Sequence, residues 1–375
     1  MPHDLLQRRL VVVTGKGGVG KSTVAAALGV LAARAGRRAV LAEVGRRGDV
    51  LDTLVPQASP LGDADVPADP DGFVETAVPV PGGAPGALFH VSVSPEAALR
   101  EYLRDQLPIA GIADLLGSGK LFTGLTAATP GLRELLAMGK VWELAQPERR
   151  TPGATPYDLC VMDAPASGHA VTVLGAPAQF ARTARVGPIA RQGSIMSGTL
   201  EDPEQTGVVV VTTAEELAVT EALELQDALA ERAGVRVVLG VVNGVLPDRF
   251  SAAERDALSA GAPHDPAIAV ADAHARRAHG QALQLARLRR GFRAPVVTLP
   301  AAPGRRLGPD DVALLADRLE QGLRRVAAGP PSSTPPSSSS PPSSSAPPSS
   351  FAPPSSSVPP PSTAPPAASP PREAS

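Results

Sequence analysis

Two lysines stand five residues apart in Val-Val-Val-Thr-Gly-Lys-Gly-Gly-Val-Gly-Lys-Ser-Thr, Val11 to Thr23. The chain has only two others, Lys120 and Lys140, and arginine supplies the remaining positive charge. The run Gly15-Lys16-Gly17-Gly18-Val19-Gly20-Lys21-Ser22 fits G-x-x-x-x-G-K-[ST], a loop that wraps phosphate. Its glycines let backbone N–H groups close on an anion, and the helix start behind them adds a favourable dipole. In such a loop Lys21 reaches the β- and γ-phosphates and the Ser22 hydroxyl meets Mg2+. Gly15, Gly17, Gly18, Val19, Gly20 and Thr23 complete the expected ATP-binding loop. Lys16 is not required by the template, so a second ammonium in so lysine-poor a chain asks for a reason of its own.

A second acid belongs to the same chemistry. Tyr157-Asp-Leu-Cys-Val-Met-Asp163-Ala-Pro-Ala-Ser-Gly168-His169 reads as a buried strand ending in a carboxylate. Asp163 stands where an acid would hold Mg2+ through water. Ala164–His169, with Gly168, reads as a turn that senses the γ-phosphate.

The positioning elements follow from hydropathy. Apolar, β-branched runs at Leu10–Thr14, Ala39–Val44, Ala87–Val93, Leu159–Asp163, Gly207–Thr212, Val235–Val242 and Ala294–Leu299 alternate with helical patterns, among them Lys21–Ala35, Glu216–Ala233 and Pro309–Val326. This rhythm predicts an α/β fold: a P-loop NTPase with a mostly parallel sheet covered by helices on both faces. Ligands of such sheets sit at the carboxyl ends of the strands, where the motifs fall. Two stretches break the rhythm. Pro56–Gly86, rich in Pro, Gly and Asp (Asp63, Asp65, Asp69, Asp71), reads as a long solvated loop. Pro95–Gln146 reads as a helical insertion without strands, in which Leu132, Leu135, Leu136, Gly139 and Trp142 share one face. That stripe is expected to serve as core rather than as a ligand groove, and Lys120 and Lys140 to face solvent.

Composition bounds the rest. The net charge is −2 with no dense basic block, so electrostatic nucleic-acid binding is not expected. Cys160, the only cysteine, lies in an apolar run and reads as a buried strand thiol. The N-terminus lacks a basic-then-apolar leader and no helical pattern is long enough to span a bilayer, which predicts a cytoplasmic protein. Residues 1–328 are expected to form the ATPase domain, with about 95–146 its helical subdomain. From about Gly329 to Ser375 the chain is almost wholly Pro, Ser and Ala and predicts a disordered tail.

The full form G-K-G-G-V-G-K-S-T resembles the deviant Walker A loop of the ArsA, MinD and ParA class. The resemblance implies that Lys16 crosses a dimer interface to the partner's phosphates, somewhat as an arginine finger does. A solvated loop charge is the alternative. D-A-P-x-S-G-H at Asp163–His169 is similar to the D-T-A-P-T-G-H switch of arsenite-pump and tail-anchored-protein-targeting ATPases. Thr129–Lys140 resembles that family's P-G-x-x-E helix, and Val211–Glu221 its T-P-E-x-L…E turn with Ala214 in place of Pro. By the same resemblance Asn243 would read the adenine edge and Pro300 would close the base pocket. The chain is identified as an ArsA-like member, similar to an actinobacterial branch that resembles paired, unequal subunits.

The pattern fails at two places. Gly45 stands where the family carries the Asp that orients attacking water. Glu43 is the nearest strand carboxylate, read either as a group that positions water or supports a Mg2+ ligand from behind, or as an acid paired with Arg46 or Arg47. Cargo features are also missing: a lone cysteine excludes both a multi-cysteine metalloid site and a C-x-x-C zinc site, and four methionines make no Met-rich groove. The expectation is therefore a Mg·ATP-dependent ATPase, a homodimer or a heterodimer with a paralogous ArsA-like subunit. Its client would be a protein or a membrane, with at most transient membrane association. Two alternatives remain open: a weakly hydrolysing regulatory subunit paired with a paralogue, and a MinD/ParA-like positioning ATPase.

Overall fold

The computed structural model describes residues 2–45, 49–55, 73–106, 124, 126–150, 153–184, 187–262, 265–302 and 307–328. All of them belong to one compact unit. The expected tail, the four loop aspartates, Arg46, Arg47 and Lys120 lie outside the described residues.

Eight strands form one sheet in the order β3-β4-β2-β5-β1-β6-β7-β8. They are β1 (Leu10–Gly15), β2 (Arg38–Val44), β3 (Glu75–Val78), β4 (Ala87–Val93), β5 (Leu159–Ala166), β6 (Thr206–Thr213), β7 (Val237–Val245) and β8 (Val296–Pro300). Every pairing is parallel except that of β3 with β4. The central strands are apolar at successive positions because helices cover both of their faces. On one face α1 (Lys21–Arg34), α2 (Asp49–Leu54) and α10 (Pro309–Ala328) bury Val11, Val13, Leu41 and Val161. The other face carries Val12, Val40, Cys160 and Met162. It is covered by α4 (Leu132–Leu144), α5 (Ser167–Ala184), α7 (Glu216–Ala228) and α9 (Pro266–Gly291), while α3 (Pro95–Gln106) packs on α4. Helix α6 (Pro188–Glu201) packs on α5, and α8 (Ala252–Gly261) on α9. Cys160 is fully buried, and loss of hydration pushes its thiol pKa well up.

Several boundaries moved. Strand β3 lies inside the stretch read as loop: it is a four-residue edge strand with only Val78 buried, too short and too polar to show a period. Strand β5 runs on to Ala166 and α5 starts at Ser167, so the expected turn at Ala164–His169 is a direct strand-to-helix passage. Helix α7 ends at Ala228 and one π-type turn, Leu229–Ala233, completes the predicted span.

The helical insertion holds the largest correction. Lys140 is buried, not solvated: its Nζ lies 2.6 Å from Glu101 and 3.1 Å from Glu143, and 4.5 Å from the centre of the Phe73 ring. Burial works against this ammonium, but the charges of Glu143 and Glu101 outweigh it and hold its pKa above the ordinary lysine value. Glu143 is also buried, yet Lys140 and Arg149 keep its carboxyl below the usual range. Arg149 continues the chain of charges to Glu75 on β3, to which the Tyr157 hydroxyl also donates. The leucine stripe divides its duties as well. Leu135 and Leu136 are buried, but with Leu132 and Gly139 they line a cavity of about 210 Å³ that Tyr102 and Met196 also border.

Candidate nucleotide site

The phosphate loop joins β1 to α1, and the sequence explains its shape. Gly20 caps α1 at φ 92°, a left-handed conformation that side chains resist. A Cβ there would stand 2.2 Å from Asn243 Nδ2, so both backbone and space demand glycine. No side chain caps α1, leaving the first-turn N–H groups to face the loop. A Cβ on Gly17 or Gly18 would meet nothing within 4 Å, as a cradle for a bound group requires. Behind the loop, Val24, Leu28 and Val30 are fully buried. Each of these larger side chains contributes about 1.5–3 kcal/mol by leaving water, which keeps the helix start rigid.

The expected ligating groups converge beneath this loop. Ser22 Oγ donates to Asp163 Oδ2 at 2.6 Å, although the two are 141 residues apart in the chain. The cause is sheet order: β5 lies beside β1, with Val13 opposite Asp163. A hydroxyl and a carboxylate so placed are oxygen donors suited to Mg2+. Lys21 is buried, and its Nζ donates to Lys16 C=O at 3.2 Å, curling back over its own loop. Thr23 is buried beside it, and Val19 packs into the α1 side of the core. Asn243, at the end of β7, donates from Nδ2 to Val19 C=O at 3.0 Å and ties that strand to the loop. Pro300 closes β8 opposite Val245 and is half-buried. Gly168 sits in the first turn of α5, exposed.

Lys16 has a partner that its motif did not announce. Its Nζ lies 2.7 Å from Glu221 Oε1, both side chains about one-third exposed (32% and 31%). Glu221 comes from α7, the helix after β6, and β6 is the other neighbour of β1. Glu221, the acid that ends the Val211–Glu221 motif, was visible in sequence. Its proximity to Lys16 was not.

Glu43 has a buried partner on the neighbouring strand. His90 Nε2 on β4 lies 3.0 Å from Glu43 Oε2, and both side chains are almost wholly buried, while Arg46 and Arg47, the partners read from sequence, lie outside the described residues. Glu43 stands in register with Asp163 on the adjacent strand, so two acids lie side by side near the phosphate loop. No local signal in sequence could have paired residues 47 positions apart. Gly45 has φ 103°, a conformation an aspartate would adopt only with strain. Its amide donates to Val93 C=O at 3.1 Å. It faces a cavity of about 310 Å³ that also holds Pro165, Glu134 and His169. His169 Nε2 lies 3.7 Å from Glu134 Oε1, which joins the start of α5 to the helical insertion.

Residues 10–260 match the model of the CobQ/CobB/MinD/ParA nucleotide binding domain. The chain belongs to that family. It is similar to ATPase BagA of Mycobacterium tuberculosis, 35% identical over 233 residues that cover 61% of this chain and 63% of BagA. It is also similar to the arsenical pump-driving ATPase of Acidiphilium multivorum, 27% identical over 273 residues, or 66% of this chain and 41% of that protein. The chain thus spans less than two thirds of the length of these relatives. The family match covers the phosphate loop, Asp163, Glu221 and Asn243, and these relatives bear out the ArsA-like resemblance. Among the described residues no helix is long and apolar enough to cross a membrane.

Proposed function

We propose that the chain is a Mg·ATP-dependent ATPase whose nucleotide-bound form closes as a dimer and reopens after hydrolysis to act on a protein or membrane client. The observation that carries this reading is the convergence of Ser22 and Asp163, 2.6 Å apart, under a glycine loop that opens a helix. Magnesium, when bound, neutralises charge on the β- and γ-phosphates. Ser22 would hold it directly and Asp163 through water. Gly15–Thr23 present backbone donors to the phosphates, and Lys21 leaves the Lys16 carbonyl to stabilise charge on the transferring group. Asn243 and Pro300 border the base, and Gly168 belongs to the segment that senses the γ-phosphate. Lys16 leaves Glu221 for the phosphates of the partner's nucleotide, a homodimer or a paralogous ArsA-like subunit supplying the second half. Glu43, oriented by His90, positions water beside Asp163. The test is steady-state phosphate release with mant-ATP binding measured in parallel. Lys21→Ala should lower turnover by at least about 100-fold, and Glu43→Gln should lower turnover while leaving binding intact. Undiminished turnover in Lys21→Ala would end the reading, and in Glu43→Gln it would remove Glu43 from it.

Gly45 favours a second reading, a weakly hydrolysing regulatory subunit of an active paralogue, because the water-orienting carboxylate is missing and the backbone there disfavours it. Turnover by the purified chain alone at a rate unchanged by a paralogous ATPase would exclude this version.

A further inference from the structure

The sheet ends at β8, and that end has an unusual lining. Gly240 N–H donates to Pro295 C=O at 2.8 Å and Ala301 N–H to Val245 C=O at 3.1 Å, so the odd-numbered residues of this strand face β7. By alternation Val296 and Thr298 turn their N–H and C=O groups outward, and no described residue bonds to these edge amides. The edge floors a groove of about 530 Å³ walled by α10 on one side and the end of α9 on the other. Four arginines line it: Arg249, Arg289, Arg318 and Arg325, with no acid among its described lining residues. Arg318 donates to Gln321, and the other three make no ion pair with any described residue. Arg318 and Arg325 lie seven residues apart on α10, two helical turns, so both flank the same wall about 10 Å apart along it.

We propose that this edge is a docking site for an acidic, extended peptide segment of a partner protein, added as a ninth strand to β8. Backbone pairing at Val296 and Thr298 supplies the strand register, and the arginines select carboxylate side chains. Charge decides among occupants. A second copy of this chain placed edge to edge would set four arginines against four, which opposes a β8–β8 dimer in a protein of net charge −2. A membrane surface would satisfy the arginines but not a row of strand donors recessed between two helices. An edge unpaired among the described residues and flanked by arginines also discourages indiscriminate sheet pairing, leaving only strands of opposite charge.

The probe is an acetylated, amidated, fluorescein-labelled Glu-Val-Glu-Val-Glu-Val peptide titrated by anisotropy against the full chain, with amide exchange read over Val296–Leu299. Saturable binding and slowed exchange at Val296 and Thr298 are expected. Arg289→Glu with Arg325→Glu should weaken binding by about tenfold or more, as should N-methylation at alternate peptide residues, with mant-ATP binding by the variant unchanged. If that variant loses nucleotide binding, Arg249→Ala with Arg318→Ala replaces it under the same reading. Equal binding of a Lys-Val peptide, indifference to the arginine changes or to N-methylation, or absence of saturable binding would overturn the proposal. So would capture on phosphatidylserine vesicles through these arginines without any peptide binding.

Discussion

Two lysines of this chain each meet glutamate, and the difference between their pairs separates a contact that opens cheaply from one that does not. Lys16 bonds Glu221 at 2.7 Å with about a third of each side chain in water. Lys140 bonds Glu101 and Glu143 with 1%, 6% and 2% exposed. An exposed pair contributes at most about 1 kcal/mol, because water competes for both ions. A buried pair is costly to break, since the group left behind has no water to replace its partner. The first pair can therefore be exchanged for a phosphate at little cost. The second holds the insertion: together with Arg149, Glu75 and Tyr157 it fastens α3 and α4 to β3 and to the segment leading into β5.

The comparison breaks most visibly at Lys140. Lys140→Ala takes the ammonium from beside the buried Glu101 and leaves Glu143 to Arg149, and should destabilise the chain by about 3–5 kcal/mol, read as a shift of the urea midpoint. A loss under about 1 kcal/mol would mean that the cluster is wet and that the contrast with Lys16 fails.

Acid should release the same cluster. The folded pKa of Glu143 is depressed, so its contribution is present above about pH 4.3 and disappears as pH falls through the lower folded value. That of Lys140 is raised, so its contribution is present below about pH 10.4 and is lost as pH climbs through the higher folded value. Thermal scans should show no slope from this cluster near neutral pH, a fall on the acid side, and a shallower acid fall in Glu143→Gln.

Glu221→Gln should have the smallest effect on folding, under about 1 kcal/mol by denaturant titration. It should nonetheless strengthen any assembly that requires Lys16, because it removes the carboxylate competing within the chain. Equal ATP-dependent assembly in the variant and in the native chain would show that this pair does not restrain Lys16.

What could be read from sequence follows the same division. The phosphate loop was legible because its function needs residues consecutive in the chain. Asp163 was legible because a buried strand ending in an acid is a local pattern. The seven long strands showed themselves as apolar runs, while β3 did not, being a short and partly exposed edge. The ion clusters were hidden for a different reason. Glu101 lies 39 residues before Lys140, Glu43 lies 47 before His90, and Lys16 lies 205 before Glu221. A charge reads as solvated until its fold partner is known, which is why Lys140 was placed in water and His90 went unseen as a partner of Glu43. The passage after Asp163 was misread because Ala-Pro-Ala-Ser-Gly carries turn residues, yet parallel pairing with β1 carries β5 through Ala166.

The central claim, that Lys16 serves a neighbour's nucleotide while Lys21 serves its own, is tested most directly by molar mass. Light scattering on the purified chain, alone or mixed with its paralogue, should show ATP doubling the mass. Lys16→Ala should bind mant-ATP and stay monomeric. A dimer that persists in Lys16→Ala, or a native chain that binds ATP and hydrolyses it entirely as a monomer, would contradict the account.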